Sequence, residues 1–98
     1  MAKSILQEEK CCFVCMKTYG LHKHHIFEGR GRRQISEREG CWVYLCARHH
    51  NASNAGVHFN KPFDTKLKQI CQKRWEELNG SREDFIRTFG RNYLEVDE

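Results

Sequence analysis

Two short spacings, far apart in the chain, constrain it most: Cys12-x-x-Cys15 and Cys46-x-x-His49. Each sets two ligands where one tight turn can point both side chains at a single ion, and two such turns complete a tetrahedron. Any fold that satisfies both must bring the first knuckle against the second. Cys11 suits the first knuckle less well than Cys12, because it leaves a three-residue gap. His22 is likewise a weaker fourth ligand than His49. The ion expected is zinc. Six cysteines would suggest disulfides in an exported protein. Here Met1 to Lys10 holds no apolar leader segment, and the Cys-x-x-Cys stands beside many histidines, which favours a metal. Buried thiols also pack as small hydrophobes, and Cys41 and Cys71, set in apolar patterns, are assigned that role.

A staple fits the size of the chain. Ninety-eight residues make one domain whose core is marginal, and a structural zinc contributes on the order of 10 kcal/mol to folding. A hydrophobic fraction of 39% beside 31% charged residues excludes a disordered chain. No apolar run approaches membrane-spanning length, so no membrane partner is expected. The net charge of +4 favours a polyanionic partner.

The elements read as α+β. Residues 1–10 are a polar lead-in with room for one helical turn. Tyr19 to Phe27 reads as a short strand. Glu28 through Gly40 has the glycines and charges of an exposed loop. Cys41 to Leu45, aromatic, β-branched and apolar, is the best strand in the chain. Two strands joined by one long loop should pair antiparallel. A short helix is expected from Ala47 to about Ala55, closed by Gly56, then a connector over Val57 to Pro62. A longer helix follows from an Asp64 N-cap to Asn79, with Leu67, Ile70, Cys71, Trp75 and Leu78 at helical spacing. Ser81 and Asp84 cap a last helix in which Phe85, Ile86 and Phe89 face inward and which Gly90 ends. The tail from Asn92 to Glu98 has room for a short strand. The core is thus placed at about 11–60, with a helical extension at about 63–90.

Five of the six histidines lie in His22-Lys23-His24-His25 and His49-His50. A metal ligand next to an unbound histidine is a compact arrangement for hydrolysing a phosphodiester. An ion neutralises charge on the phosphoryl and leaving oxygens. A neutral imidazole, with an unperturbed pKa of about 6.5, takes a proton from water. On an extended segment neighbours point to opposite sides, so one of His24 and His25 can ligate while the other stays free. A second ligand must come from elsewhere, and folding of the zinc site would position His50.

The order Cys12-x-x-Cys15, His24-His25-Ile26, Leu45-Cys46-Ala47-Arg48-His49-His50 resembles the HNH endonucleases, in particular their zinc-knuckle branch. The resemblance covers roughly Cys11 to His58. It implies a small ββα-metal (His-Me finger) core with a structural zinc knuckle pair and C-terminal helices. It further implies that His24 and His50 hold a catalytic ion, magnesium or manganese, or else nickel or zinc, and that His25 is the general base. An imidazole-rich site leans toward the softer ions. Family members use His or Asn for a further ligand, and His58 is preferred here to Asn54. His22, on the strand face of His24, is assigned to the surroundings of the ion or to a substrate contact. The family's middle Asn has no counterpart between His25 and Asn51, and a backbone carbonyl is expected to hold the base instead.

Arg30, Arg32 and Arg33 follow the base directly, where in the family the loop borders the bound nucleic acid. Guanidinium groups match phosphate geometry, and such contacts give affinity with little sequence information. The expected partner is therefore double-stranded DNA, read with weak sequence preference unless a protein partner supplies more. The resemblance implies a phage or prophage setting, hence the cytoplasm of a bacterial or phage-infected cell. Two other readings are a zinc-stabilised nucleic-acid-binding or adaptor module without catalysis, and a protein whose histidines all serve structural zinc.

Overall fold

The structure, a computed structural model, describes residues 3–29, 31–50 and 56–94. A two-stranded antiparallel sheet lies at its centre, formed by β1 (Leu21–His25) and β2 (Trp42–Cys46). The register pairs His25 with Trp42, His24 with Val43, Lys23 with Tyr44 and His22 with Leu45. Side chains alternate along a strand. One sheet face therefore carries His22 and His24 beside the buried Val43 and Leu45, and the other carries Lys23 and His25 beside Trp42 and Tyr44.

The connection between the strands is a helix, not the exposed loop expected from its composition. Helix α1 runs from Arg32 to Glu39, flanked by Gly31 and Gly40 in left-handed conformation. Ser36 is buried and serves the backbone of Phe27, two residues beyond β1: its Oγ accepts from the Phe27 N–H at 3.0 Å and donates to the Phe27 carbonyl at 2.8 Å. Gly40 is required for a second reason. A Cβ there would collide with the Lys3 carbonyl oxygen, where the N-terminal segment crosses.

That segment forms no helical turn over residues 3–10. It follows β2 instead. The Ser4 hydroxyl donates to the Trp42 carbonyl at 2.6 Å, the Tyr44 N–H donates to the Gln7 side chain at 2.6 Å, and the Phe13 N–H donates to the Tyr44 carbonyl at 2.8 Å. Backbone groups left open along a strand edge are thereby satisfied.

After β2 the chain enters α2 (Ala47–His50) directly. The rest of the helix expected to run to Ala55 lies outside the described residues. A 3₁₀ turn (Val57–Phe59) leads into α3 (Lys61–Asn79). Helix α3 begins earlier than expected: Asn60, not Asp64, is the N-cap, its side chain accepting from the Phe63 N–H at 3.1 Å. Pro62 falls in the first turn, where its missing N–H costs nothing. Helix α4 (Arg82–Phe89) carries the capping box of Ser81 and Asp84 and ends at a left-handed Gly90.

Leu67, Cys71 and Trp75 of α3 and Phe85 and Phe89 of α4 close the core against Phe27. The Phe85 and Phe89 rings stack at 4.5 Å, and Phe27 lies 4.7 Å from Phe89. Two expected core residues face outward: Leu78 is 52% exposed and Ile86 37%. Cys41 and Cys71 are fully buried, as expected of core thiols. The Cys41 side chain and burial together push the Cys71 thiol well above the ordinary value. Asn92 to Leu94 form no strand, and residues 95–98 lie outside the described residues. Among the described residues no helix is long and apolar enough to cross a membrane.

Candidate active site and metal centres

Cys12, Cys15, Cys46 and His49 converge, with one ligand atom from each lying within 4.8 Å of the others. Thiolates bound tetrahedrally at about 2.3 Å stand about 3.8 Å apart, and a thiolate stands about 3.6 Å from an imidazole nitrogen at the same ion. Cys15 Sγ lies 3.7 Å from Cys46 Sγ, and His49 Nδ1 lies 3.7 Å from Cys12 Sγ and 3.3 Å from Cys46 Sγ. The cluster thus has the dimensions to hold a metal ion such as zinc. The first knuckle is a tight turn in which the Met16 N–H donates to the Cys12 carbonyl at 2.9 Å. Met16 adopts a left-handed φ of 69° to close it. Burial raises the Cys12 thiol, but backbone hydrogen bonds from Cys15, Cys46 and Val14 outweigh it and bring the pKa down to about 6. A thiol so held is readily converted to the thiolate that a metal binds.

The second cluster is His24, His50 and His58, again with ligand atoms within 4.8 Å of one another. Strand β1 supplies the first, α2 the second and the 3₁₀ turn the third. His50 Nε2 lies 3.1 Å from His58 Nε2, close to the roughly 3.3 Å that two imidazole nitrogens keep on one tetrahedral ion. Buried polar atoms ordinarily have partners, yet among the described residues His24 Nε2 and His50 Nδ1 are buried with no hydrogen-bond partner. His24 Nδ1 lies 3.7 Å from the Glu28 carboxylate. Burial first, then His50, His58, His25 and Lys68, drive the His24 pKa down to about 3. Burial, then His58 and His22, bring His50 to about 4. Both rings are therefore neutral near pH 7, the form a metal takes. The donor set fits a divalent ion.

His25 points to the other side of β1, toward α1. Its Nε2 lies 2.7 Å from Glu37 Oε1. Lys23 contacts the same carboxylate, at 3.3 Å to Oε1 and 3.1 Å to Oε2. The hydrogen bond from His25, and next that from Lys23, hold the Glu37 carboxyl below its ordinary range. An ionised carboxylate only accepts, so Nε2 carries the proton, and in the neutral ring Nδ1 has the lone pair. The backbone carbonyl expected at His25 is thus replaced by a side-chain carboxylate. Glu37 is not among the site residues expected from sequence, because the composition of residues 28–40 is that of a loop whereas Glu37 lies in α1.

A cleft of about 200 Å³ is lined by Lys23, His24, His25, Glu28, Arg33, His50 and His58. The three clustered imidazoles, His25 and one arginine therefore share one space. Arg32, expected at the nucleic acid, donates from Nε to the Phe89 carbonyl at 2.9 Å and ties α1 to α4. Arg30 and Asn54 lie outside the described residues. His22 is exposed, 5.0 Å from the His50 ring and outside the three-histidine cluster. Compared with models of protein families, with curated proteins and with solved structures, the chain finds no match.

Proposed function

We propose that this protein is a metal-dependent endonuclease of the HNH type, built on a ββα-metal core, that hydrolyses phosphodiester bonds of DNA. The observation that carries the reading is the shared cleft, in which His25 stands beside three clustered imidazoles and Arg33. In this reading zinc occupies the Cys12, Cys15, Cys46 and His49 cluster and holds the fold.

His25 Nδ1 takes a proton from water as the water oxygen bonds to phosphorus. The bond from phosphorus to the 3′ oxygen then breaks, and that oxygen takes a proton from solvent. His25 later returns its proton to solvent. Arg33, exposed at the cleft, pairs with a phosphate oxygen and orients the strand. A divalent ion held by His24, His50 and His58 would supply Lewis-acid stabilisation of the phosphoryl and leaving oxygens. An all-imidazole donor set favours zinc, nickel or manganese over magnesium.

Supercoiled plasmid incubated with magnesium, manganese, nickel, zinc or EDTA tests the reading. The wild type should nick with a divalent ion and not with EDTA, and His25→Ala should lose nicking with its zinc content unchanged. Equal nicking by His25→Ala would overturn the assignment of the base. DNA binding without cleavage under every ion would point to a nucleic-acid-binding module.

A further inference from the structure

We infer that Glu37 is the positioning residue for His25, fixing the ring's tautomer so that Nδ1 accepts the proton, while Lys23 neutralises the carboxylate. The inference rests on the reading of His25 as the general base. An imidazole can act as a base only through the nitrogen that lacks a proton, and a carboxylate at 2.7 Å from Nε2 keeps the proton there. The ring is also turned by this contact, since β1 fixes only the direction in which the side chain leaves the strand.

A bare carboxylate beside a phosphodiester site would repel the substrate. Lys23 answers that charge: it contacts both carboxylate oxygens and is itself held over the Trp42 ring, 4.1 Å from the centroid. Lys23 and His25 project from the same sheet face, two residues apart on β1, so one carboxylate from α1 reaches both. Helix α1 is thereby given a purpose beyond joining the strands. It replaces the Asn that the HNH resemblance leads one to expect between His25 and Asn51.

Glu37→Gln is a nearly isosteric test. The amide oxygen will settle toward Lys23, which leaves the NH₂ to donate to His25 Nε2. The proton then moves to Nδ1, the wrong tautomer for the base. The experiment compares wild type, Glu37→Gln and Glu37→Ala, each with zinc content and circular dichroism matched. It reads the His25 ring nitrogens by ¹⁵N NMR and follows single-turnover and steady-state nicking of a plasmid with manganese. Expected are an Nε2–H ring in the wild type, an Nδ1–H ring in Glu37→Gln and a mixture in Glu37→Ala. The kcat of Glu37→Gln should fall about 10²-fold or more, with KM within about threefold. A surface ion pair with no positioning role would leave both the tautomer and kcat unchanged, and that result overturns the inference. If the wild type cleaves under no ion, the nuclease reading fails, and the NMR comparison still decides whether Glu37 sets the ring. A wild-type proton on Nδ1, or spectra that do not respond to Glu37→Gln, would overturn it.

Discussion

His49 and His50 are consecutive residues of α2, yet their rings belong to different clusters. His49 Nδ1 lies 3.3 Å from Cys46 Sγ, whereas His50 Nε2 lies 3.1 Å from His58 Nε2. Folding of the knuckle pair therefore sets the backbone from which His50 reaches the second cluster. Cys46→Ser should reduce tightly bound zinc and lower stability by several kcal/mol, given that structural zinc supplies on the order of 10 kcal/mol. Nicking should fall with it, although Cys46 does not line the cleft. Zinc content, thermal melting and plasmid nicking on one preparation check this; retained zinc and unchanged melting would contradict it.

The two clusters should differ in metal preference and retention. The thiolate cluster should keep its ion through mild chelation. The imidazole cluster should bind an exchangeable ion, with nickel and zinc tighter than manganese and manganese tighter than magnesium. Titration calorimetry after mild chelation should find one site, lost in His24→Ala. Two ions equally resistant to chelation would favour purely structural sites.

How much of this was legible in the sequence depended on range. Ligand spacing within a knuckle is fixed by a few bonds, so Cys12, Cys15, Cys46 and His49 could be paired before any fold was known, and the clustering of their ligand atoms agrees. Strand alternation likewise separated His24 from His25. Helix α1 was hidden because its eight residues carry one large apolar side chain, Ile35, and its buried anchor is the polar Ser36. A periodicity argument sees only apolar stripes. Glu37 was missed with it, since its partner lies 12 residues away and no local pattern links them. Ile86 was misassigned for a simpler reason: Phe85 and Phe89, four apart, already define the inward face of α4.

Acid should destabilise the protein through its buried imidazoles. His24 titrates at about 3 and His50 at about 4 in the fold, against about 6.5 in an unfolded chain. Between those values the unfolded state binds more protons. The stabilisation is therefore fully present above about pH 6.5 and is lost as pH falls toward 4 and then 3. The total is on the order of a few kcal/mol, most of it from the fully buried His24. Urea unfolding of wild type and His24→Gln at pH 7.5, 6 and 5, with the second cluster emptied by mild chelation, checks this. The wild type should lose more stability between pH 7.5 and 5 than the variant does.

Arg32 and Arg33, two of the three arginines of α1, should separate in function. Arg33→Ala should weaken DNA binding and reduce the dependence of log affinity on log salt by about 0.9, the effect of one lost phosphate contact. Its folding stability should stay within about 0.5 kcal/mol of wild type. Arg32→Ala should do the reverse. It removes the donor to the Phe89 carbonyl and should cost about 1–2 kcal/mol of stability, with little change in salt slope. Equal salt slopes for wild type and Arg33→Ala would place the phosphate contact elsewhere.

Ser36→Ala tests whether α1 is anchored as the hydrogen bonds indicate. Ser36 Oγ is the partner of both the N–H and the carbonyl of Phe27, and both residues are fully buried. Alanine fits the space but leaves two backbone groups unpaired away from water. The expected cost is about 1–3 kcal/mol, measured by urea unfolding with zinc bound. Because Glu37 follows Ser36 in the helix, a loosened α1 should also move the carboxylate relative to His25. Nicking should therefore drop in Ser36→Ala even though its hydroxyl does not line the cleft. Wild-type stability in this variant would mean that Phe27 finds other partners and that α1 does not depend on this anchor.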